Sequence, residues 1–242
     1  MKPITARSPR RLVRLAAAAS VCLAARAASA DAPVDAPPSP PPVHASYQTW
    51  TSLTVQGPIH DRLLFLTELH GRFYDDMHPF QVLLYPALGY RLPYGFSVFA
   101  GYAFTPSWNE EREFAEEHRA WQQIVYEAPF TQVRLVGRAR LEERVRAGSD
   151  VGYLLRTMVR LEVPLGLPVP LRTVLWEELF WGLDQPAAWQ PEPIDQDLLF
   201  VGFGWVLGPH LRTDVGYLGQ VLPRRDATTA HHSLAINAVA SW

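Results

Sequence analysis

The chain has 242 residues, a formal charge of −2, and a hydrophobic share of 48%. Its one cysteine, Cys22, lies in the amino-terminal segment, which excludes a disulfide framework and a cysteine-ligated metal site in the remainder. Beyond residue 30 no segment is long and apolar enough to cross a bilayer as a helix, and the length suits one domain.

Residues 1–30 have the features of an export signal. Four arginines lie between residues 7 and 14, a short uncharged run covers residues 15–25, and Ala28-Ser29-Ala30 offers a small-residue cleavage site. Removing the signal would leave 16 arginines against 24 acidic residues, a formal charge of −8. Nonspecific binding to nucleic acid needs a basic surface, so this charge argues against nucleic acid as a partner.

Residues 31–46 are interpreted as a tether, because the stretch is rich in proline and has little to bury. Its prolines are Pro33, Pro37, Pro38, Pro40, Pro41 and Pro42. The ordered domain is predicted to cover residues 47–242. It divides into successive long strands separated by turn residues, predicted at 47–56, 62–73, 79–92, 95–105, 117–128, 131–146, 151–163, 170–183, 196–207, 210–222 and 229–242.

A period of two is clearest in the segment around residues 133–145. Arg134, Arg138, Arg140, Glu142 and Arg144 occupy even positions, while apolar residues and glycine occupy most of the odd ones. A strand would therefore send charge to one face and apolar groups to the other. Several arginines on one face of a long strand need a wet environment, which the inside of a polar-filled β-barrel with a lipid-facing exterior provides.

The connections between the predicted strands alternate between short and long. Turns such as 92–95 and 207–210 are tight, whereas 105–116, 184–195 and 223–229 are longer, as in outer-membrane barrels with their long loops outward. Eleven strands conflict with the even number usual in bacterial single-chain barrels. We therefore expect either ten strands, if residues 47–56 are not a full strand, or twelve, if one strand is unrecognised.

Aromatic residues lie near many of the predicted strand ends, as the girdles at membrane interfaces require. They are Tyr90, Tyr94, Trp121, Tyr126, Phe130, Trp176, Trp181 and Trp205. The terminal residue, Trp242, resembles the aromatic final residue by which outer-membrane barrels are recognised for assembly. Apolar residues at alternate positions before it, from Leu234 to Ala240, fit the apolar face of that signal.

Several stretches in order resemble the bacterial domain of unknown function 2490 family. They are Trp50, residues 88–92, Gly101-Tyr102, residues 117–123, 138–144, 178–180 and 196–204, Gly216-Tyr217, Gln220 and His232. The resemblance covers about residues 47–242 and implies an outer-membrane-type barrel. The family has no established activity, so the resemblance implies no catalytic residue.

The predicted lumen concentrates the charged side chains of several strands. Its members are Glu68, Arg72, Arg119, Arg134, Arg138, Arg140, Glu142, Arg144, Arg156, Arg160, Glu162 and Glu178. One interpretation is a salt-bridge network that fills a narrow lumen, where each charge is paired. The other is a charged pore or binding site for small anionic solutes, since arginine rings favour negative solutes.

The motif His231-His232-Ser233 is a candidate catalytic site. His231 and Ser233 would lie on the same face, and their spacing resembles the His-x-Ser pair of the outer-membrane lipid A 3-O-deacylase, in which histidine activates serine. No orienting acid is evident from local spacing. An acidic run at residues 110–117 could attract divalent cations but is typical of a solvated loop. The sequence indicates no metal site and no cofactor.

We therefore predict an all-β, antiparallel up-and-down transmembrane β-barrel of about 10–12 strands in a Gram-negative outer membrane. The expected function is a structural or small-solute channel role without catalysis. The expected partners are outer-membrane lipid, lipopolysaccharide and the barrel assembly machinery, and we expect a monomer. Two alternatives remain: a lipid ester hydrolase using Ser233 and His231, and a soluble periplasmic ligand-binding barrel with the two faces inverted.

Overall fold

The structure, a computed structural model, describes residues 43–109, 111–128, 130, 132–184, 186, 193–224 and 227–242. The predicted signal peptide and most of the predicted tether lie outside these residues. The described part contains eleven strands: β1 (Val43–His60), β2 (Leu63–Tyr74), β3 (Pro79–Arg91), β4 (Phe96–Trp108), β5 (Phe114–Ala128), β6 (Arg134–Arg146), β7 (Gly152–Pro164), β8 (Leu171–Asp184), β9 (Ile194–Val206), β10 (Leu211–Pro223) and β11 (Thr228–Ser241). Within these residues no helix is long and apolar enough to cross a membrane.

Each predicted strand corresponds to one observed strand, so the all-β prediction is confirmed. The largest differences lie at strand ends. β1 begins at Val43 rather than residue 47, and β4 and β5 extend into the loop predicted between residues 105 and 116. These ends are paired with neighbouring strands, from Val43 opposite Thr228 to Trp108 opposite Phe114. Backbone pairing therefore extends beyond the residues whose alternation of polar and apolar side chains predicted the strands.

The eleven strands form one closed barrel in which β1 pairs with both β2 and β11. Every neighbouring pair is antiparallel except β1 and β11, which are parallel, with Val43 opposite Thr228 and Gln56 opposite Ser241. The predicted range of about 10–12 strands is confirmed, and the observed number equals the eleven strands counted along the sequence rather than the even number usual in bacterial barrels. An odd number of up-and-down strands leaves the first and last pointing the same way, so a parallel pair is the geometry that closes the sheet.

The parallel closure places the two ends of the barrel chain at opposite rims. The N-rim holds the start of β1 and the connection 75–78, and the C-rim holds Trp242 and the connection 61–62. Connections contain two to six residues at the C-rim and four to nine at the N-rim. The predicted contrast between short and long connections is therefore present but weak, because β4 and β5 absorb most of the predicted loop between them.

The polar face of the sheet is the inner one. Arg140 and Glu142 have no solvent exposure, whereas the outward side chain of Leu88 is 59% exposed. Val201 and Phe203 are also exposed on the outer surface. The inverted arrangement considered for a soluble barrel is therefore wrong for this chain, because inverting the faces would place these arginines outside, where the structure has leucine, valine and phenylalanine.

The interior also contains two apolar clusters that sequence alternation did not predict. One is built around Trp121 and Tyr85, and the other includes Phe200, which stacks on Trp176 with ring centroids 5.4 Å apart. Trp121 lies against the inner wall at Gly101, where an added Cβ would be 2.7 Å from the indole ring. Glycine on the wall thus leaves space for a large ring to fill the interior.

The predicted aromatic girdle is only partly present. Tyr90, Tyr94 and Tyr126 are exposed at the C-rim. Trp121 and Trp176, by contrast, point inward and belong to the interior clusters. Both were predicted to lie near strand ends. Each lies an even number of residues from the buried charged residues of its own strand, β5 or β8, and therefore shares their inward face.

Candidate functional site: the charged network of the lumen

The middle of the lumen contains an arginine on β6 that reaches across the barrel. Arg140 Nη2 donates to the two carboxylate oxygens of Glu68 on β2, at 3.0 and 3.2 Å, and its Nε donates to Gln123 Oε1 at 2.9 Å. The guanidinium also lies 4.3 Å from the centre of the Trp121 ring. A buried arginine is thereby supplied with a charge partner and an aromatic face.

Glu142, two residues along β6, connects the strands on either side. It accepts from Arg119 Nη1 and from Arg156 Nη1, each at 2.8 Å. Arg156 in turn donates through Nε and Nη2 to Glu178, at 2.9 and 3.0 Å, and Arg138 donates to the same carboxylate at 2.7 Å. Two carboxylates and three guanidinium groups thus form a continuous charge-assisted chain across β5 to β8.

A second group of charges lies toward the C-rim. Glu162 accepts from Arg134 at 2.7 Å, from Arg160 at 2.8 Å and from Arg172 at 3.2 Å. Arg160 also donates to Asp214 on β10 at 2.6 Å. Because β8 and β9 separate β7 from β10, this contact is a second tie across the lumen.

A third group lies toward the N-rim and is centred on Glu117. Its carboxylate accepts from Arg119 at 2.5 Å, from Arg144 Nε at 2.8 Å, and from Arg146. One negative charge is therefore shared among three guanidinium groups. Since Arg119 also contacts Glu142, this group is continuous with the network in the middle of the lumen.

Arg72 differs from the other predicted lumen arginines. Its Nη1 donates to Gln81 Oε1 at 2.6 Å, and its guanidinium lies 3.8 Å from the centre of the Trp50 ring. Within the described residues it makes no ion pair with a carboxylate, and its buried Nε has no hydrogen-bond partner. An amide and an aromatic ring position this cation, but neither carries a formal negative charge.

The structure places all twelve predicted lumen residues on the inner face of the barrel. The sequence analysis missed several further members of the network. They are Glu117, Arg146, Arg172, Asp195, Arg212, Asp214 and Arg224. Glu117, Arg146 and Arg172 lie an even number of residues from a predicted lumen residue on the same strand, and this spacing could have identified them. Residues from three or more strands meet in the middle and C-rim groups, and residues from the neighbouring strands β5 and β6 meet around Glu117. Spacing within one strand does not reveal these contacts.

Two cavities remain between these groups. The inner cavity has a volume of about 170 Å³ and is lined by both charged and apolar residues, including Trp50, Arg138 and Met158. The N-rim cavity has a volume of about 220 Å³ and is lined mainly by polar groups, including Tyr85 and Gln196. Arg72 and Arg156 line both cavities, so the two adjoin at these side chains.

The predicted His231 and Ser233 pair is not in hydrogen-bond contact. Ser233 is 3% exposed, and its hydroxyl has no hydrogen-bond partner among the described residues. His231 Nδ1 instead lies 2.6 Å from Ser46 Oγ, across the parallel seam between β11 and β1. The described residues also contain no group of three histidine, aspartate or glutamate side chains positioned to hold a metal ion.

Trp242 lies at the C-rim, next to the strand that closes the barrel. Its backbone N–H donates to the Gln56 carbonyl at 3.3 Å, and its ring centroid is 6.0 Å from that of Phe65. The side chain remains 64% exposed. The terminal aromatic residue is therefore held at the β1 seam while most of its ring faces outward.

The fold and the interior define a class: a closed, eleven-stranded β-barrel with a core of ion pairs and an apolar exterior. The chain belongs to the family described as "Protein of unknown function (DUF2490)", whose profile matches residues 47–231. This confirms the family resemblance of the sequence. The chain is also similar to an uncharacterized protein of Methylorubrum extorquens, at 28% identity over 224 residues, which cover 90% of this chain and 94% of the relative.

Proposed function

We propose that this protein is a structural outer-membrane β-barrel whose lumen is closed by its own ion pairs rather than open as a pore. The observation that carries the proposal is the polarity of the wall. Charged side chains such as Arg140 and Glu142 are fully buried inside, while large apolar side chains such as Leu88, Val159 and Phe203 are exposed outside. A soluble monomer rarely exposes so continuous an apolar surface.

The dimensions of the strands support the same location. The strands contain 12 to 18 residues, and about 9–11 tilted residues suffice to cross the hydrocarbon core of a bilayer. Exposed tyrosines at the C-rim and the exposed ring of Trp242 fit the interface at one side of a membrane. The barrel assembly machinery would recognise Trp242 and insert the barrel. Lipid and lipopolysaccharide would then surround its outer wall.

The ion pairs favour a closed lumen over a free channel for small anionic solutes. Arg140 crosses the middle of the barrel to Glu68, and the apolar ring of Trp121 packs beside it. Side chains of a barrel of about eight strands already come close to filling its interior. Here aromatic rings and paired guanidinium groups occupy the space through which a solute would have to pass.

Location and closure are tested separately. Cells are fractionated, and the protein of the outer-membrane fraction is run on a gel with and without boiling. We expect recovery in that fraction and faster migration without boiling, as a folded barrel gives. Recovery in the soluble periplasm would overturn the membrane location. The purified protein in a planar bilayer should give no stable conductance; a steady, anion-selective current would instead support the channel role.

The hydrolase alternative has a simple test of its own. Ser233→Ala, with Ser46→Ala as its matched partner because Ser46 contacts His231, is introduced into the native chain. We expect unchanged acylation of lipid A and phospholipid in both strains, as a non-catalytic barrel requires. If the natural chain removes ester-linked acyl chains and either variant no longer does so, hydrolysis at this seam would be supported.

A further inference from the structure

The N-rim cavity is lined by six arginines, and among the described residues a single acidic side chain, Asp195, lines it with them. The arginines are Arg72, Arg119, Arg144, Arg146, Arg156 and Arg224. The inner cavity has a different balance, because Glu68, Glu178 and Asp214 line it alongside its arginines. Five of the six arginines are paired with carboxylates, which are Glu117, Glu142, Glu178 and Asp195. Six guanidinium groups against four carboxylates leave a net positive charge on the N-rim side of the wall formed by Arg72 and Arg156.

Arg72 supplies this cavity with a cation that makes no ion pair with any described carboxylate. Its two contacts, Gln81 Oε1 at 2.6 Å and the Trp50 ring at 3.8 Å, hold the guanidinium in place. Its Nε is buried without a hydrogen-bond partner. A buried cation that makes no ion pair is energetically costly. Binding of an anion next to it would therefore be favourable.

Two further side chains at the cavity have hydrogen-bond donors to spare. Gln196 is 8% exposed, and its Nε2 has no partner among the described residues. The Tyr85 hydroxyl accepts from Arg119 Nη1 at 2.9 Å, which leaves its own proton available for donation. Uncharged donors therefore lie in the same wall as the guanidinium of Arg72.

We propose that the N-rim cavity is a binding site for a compact oxyanion with more than one negative charge, of the phosphate type. Guanidinium groups recognise phosphate through paired N–H donors, and the mostly polar wall offers little to an apolar ligand. The volume of about 220 Å³ is several times the roughly 30 Å³ that a water molecule occupies. The inference does not depend on the membrane location or on the closed lumen.

The rim end of the cavity is reached from solvent. The side chains of Arg146 and Arg224 are 40% and 29% exposed, whereas that of Arg119 is 8% exposed. An anion would thus meet partly hydrated arginines first and the buried donors of Arg72 and Gln196 afterwards.

The experiment measures binding of inorganic phosphate and of pyrophosphate to the full mature protein, in the detergent or buffer in which it is recovered folded. Isothermal titration calorimetry gives Kd, and the midpoint of thermal unfolding gives the stabilisation. Citrate tests whether a carboxylate anion of similar charge binds equally. Dihexanoyl phosphatidic acid, below its micelle concentration, tests whether the phosphate of a lipid headgroup binds as the free ion does.

Arg72→Gln is the decisive variant, and Arg212→Gln is its matched control. Arg212 also points inward and has a buried Nε without a partner, but it lies toward the C-rim and lines neither cavity. We expect Arg72→Gln to raise the Kd for phosphate at least tenfold and to abolish the thermal stabilisation. Arg212→Gln should bind as the natural chain does, within about twofold.

Failure of Arg72→Gln to fold would be visible as loss of the fast-migrating unboiled band. Gln196→Met, which removes an uncharged donor, then serves as the test, with an expected three- to tenfold rise in Kd. Absence of any phosphate or pyrophosphate binding by the natural chain would overturn the proposal. Equal loss of affinity in Arg72→Gln and Arg212→Gln would also overturn it, since general positive charge in the lumen would then suffice.

Discussion

The guanidinium of Arg140 on β6 lies 3.0 Å from the carboxylate of Glu68 on β2, although β3, β4 and β5 separate the two strands around the wall. The pair is a tie through the lumen rather than a contact between neighbours. Arg160 and Asp214 form a similar tie between β7 and β10 at 2.6 Å. These contacts span the lumen from wall to wall and occupy the path along its axis.

Removing one partner of the Arg140–Glu68 ion pair should lower the free energy of unfolding more than replacing both partners by apolar residues. Glu68→Leu leaves the buried guanidinium of Arg140 without its carboxylate, and we expect it to lower the free energy of unfolding by about 3–5 kcal/mol. Arg140→Met should cost less, because Glu68 keeps Arg138 at 3.8 Å and His70 at 3.5 Å. The double variant should recover most of the loss caused by Glu68→Leu. Denaturant unfolding in detergent measures all three.

A solvent-exposed ion pair provides the comparison for that experiment. Arg134 Nη2 donates to Glu127 at 2.5 Å, but the Glu127 side chain is 52% exposed. Glu127→Ala should cost less than about 1 kcal/mol. If Glu68→Leu cost no more than Glu127→Ala, the lumen would have to be hydrated, and the closed interior would be wrong.

The parallel seam can be tested by a disulfide, because the chain beyond residue 30 has no cysteine of its own. Thr51 on β1 lies opposite Ile236 on β11. Thr51→Cys with Ile236→Cys should form a disulfide in the folded protein, detected as a mobility change that reductant reverses. Thr51→Cys with Tyr217→Cys, which places the second thiol on β10, should not cross-link. Equal cross-linking of both pairs would contradict the register.

Two carboxylates on the outer wall give a test of the bilayer location. Glu177 on β8 is exposed, and its charge acts on the neighbouring Asp197 of β9. Facing lipid, both are unfavourable, so Glu177→Leu with Asp197→Leu should stabilise the barrel in lipid vesicles by about 1–2 kcal/mol. Asp214→Leu, on the inner face, should destabilise it. A loss of stability in both variants would contradict a lipid-facing outer wall.

On the proposed outer-membrane location, Trp242 should matter for assembly more than for the stability of the folded state. Trp242→Ala removes a ring that is mostly exposed and that lies near the rings of Phe65 and His210. We expect a several-fold fall in the amount assembled in the outer membrane, measured by heat-modifiable mobility, with little change in the unfolding midpoint of the protein that does assemble. Tyr94→Ala, at the same rim and also exposed, should leave assembly unchanged.

Alternation in the sequence predicted all eleven strands and the division between charged and apolar faces. β6 shows why this succeeds: Arg138, Arg140, Glu142 and Arg144 share one face, since side chains alternate along a strand whatever its neighbours are. The inward position of Ser233 and of Trp121 also follows from parity. A local rule therefore determined each strand and each face.

The closure of the barrel and the pairing of charges depended on the tertiary structure. The sequence does not state that β1 and β11 pair in parallel, because that pairing joins the two ends of the domain and depends on the odd number of strands between them. The partner of Arg140 is 72 residues away, and the partner of His231 is Ser46, 185 residues away. Which charges meet across the lumen, and that Arg72 meets no described carboxylate, is decided by the width and register of the closed sheet.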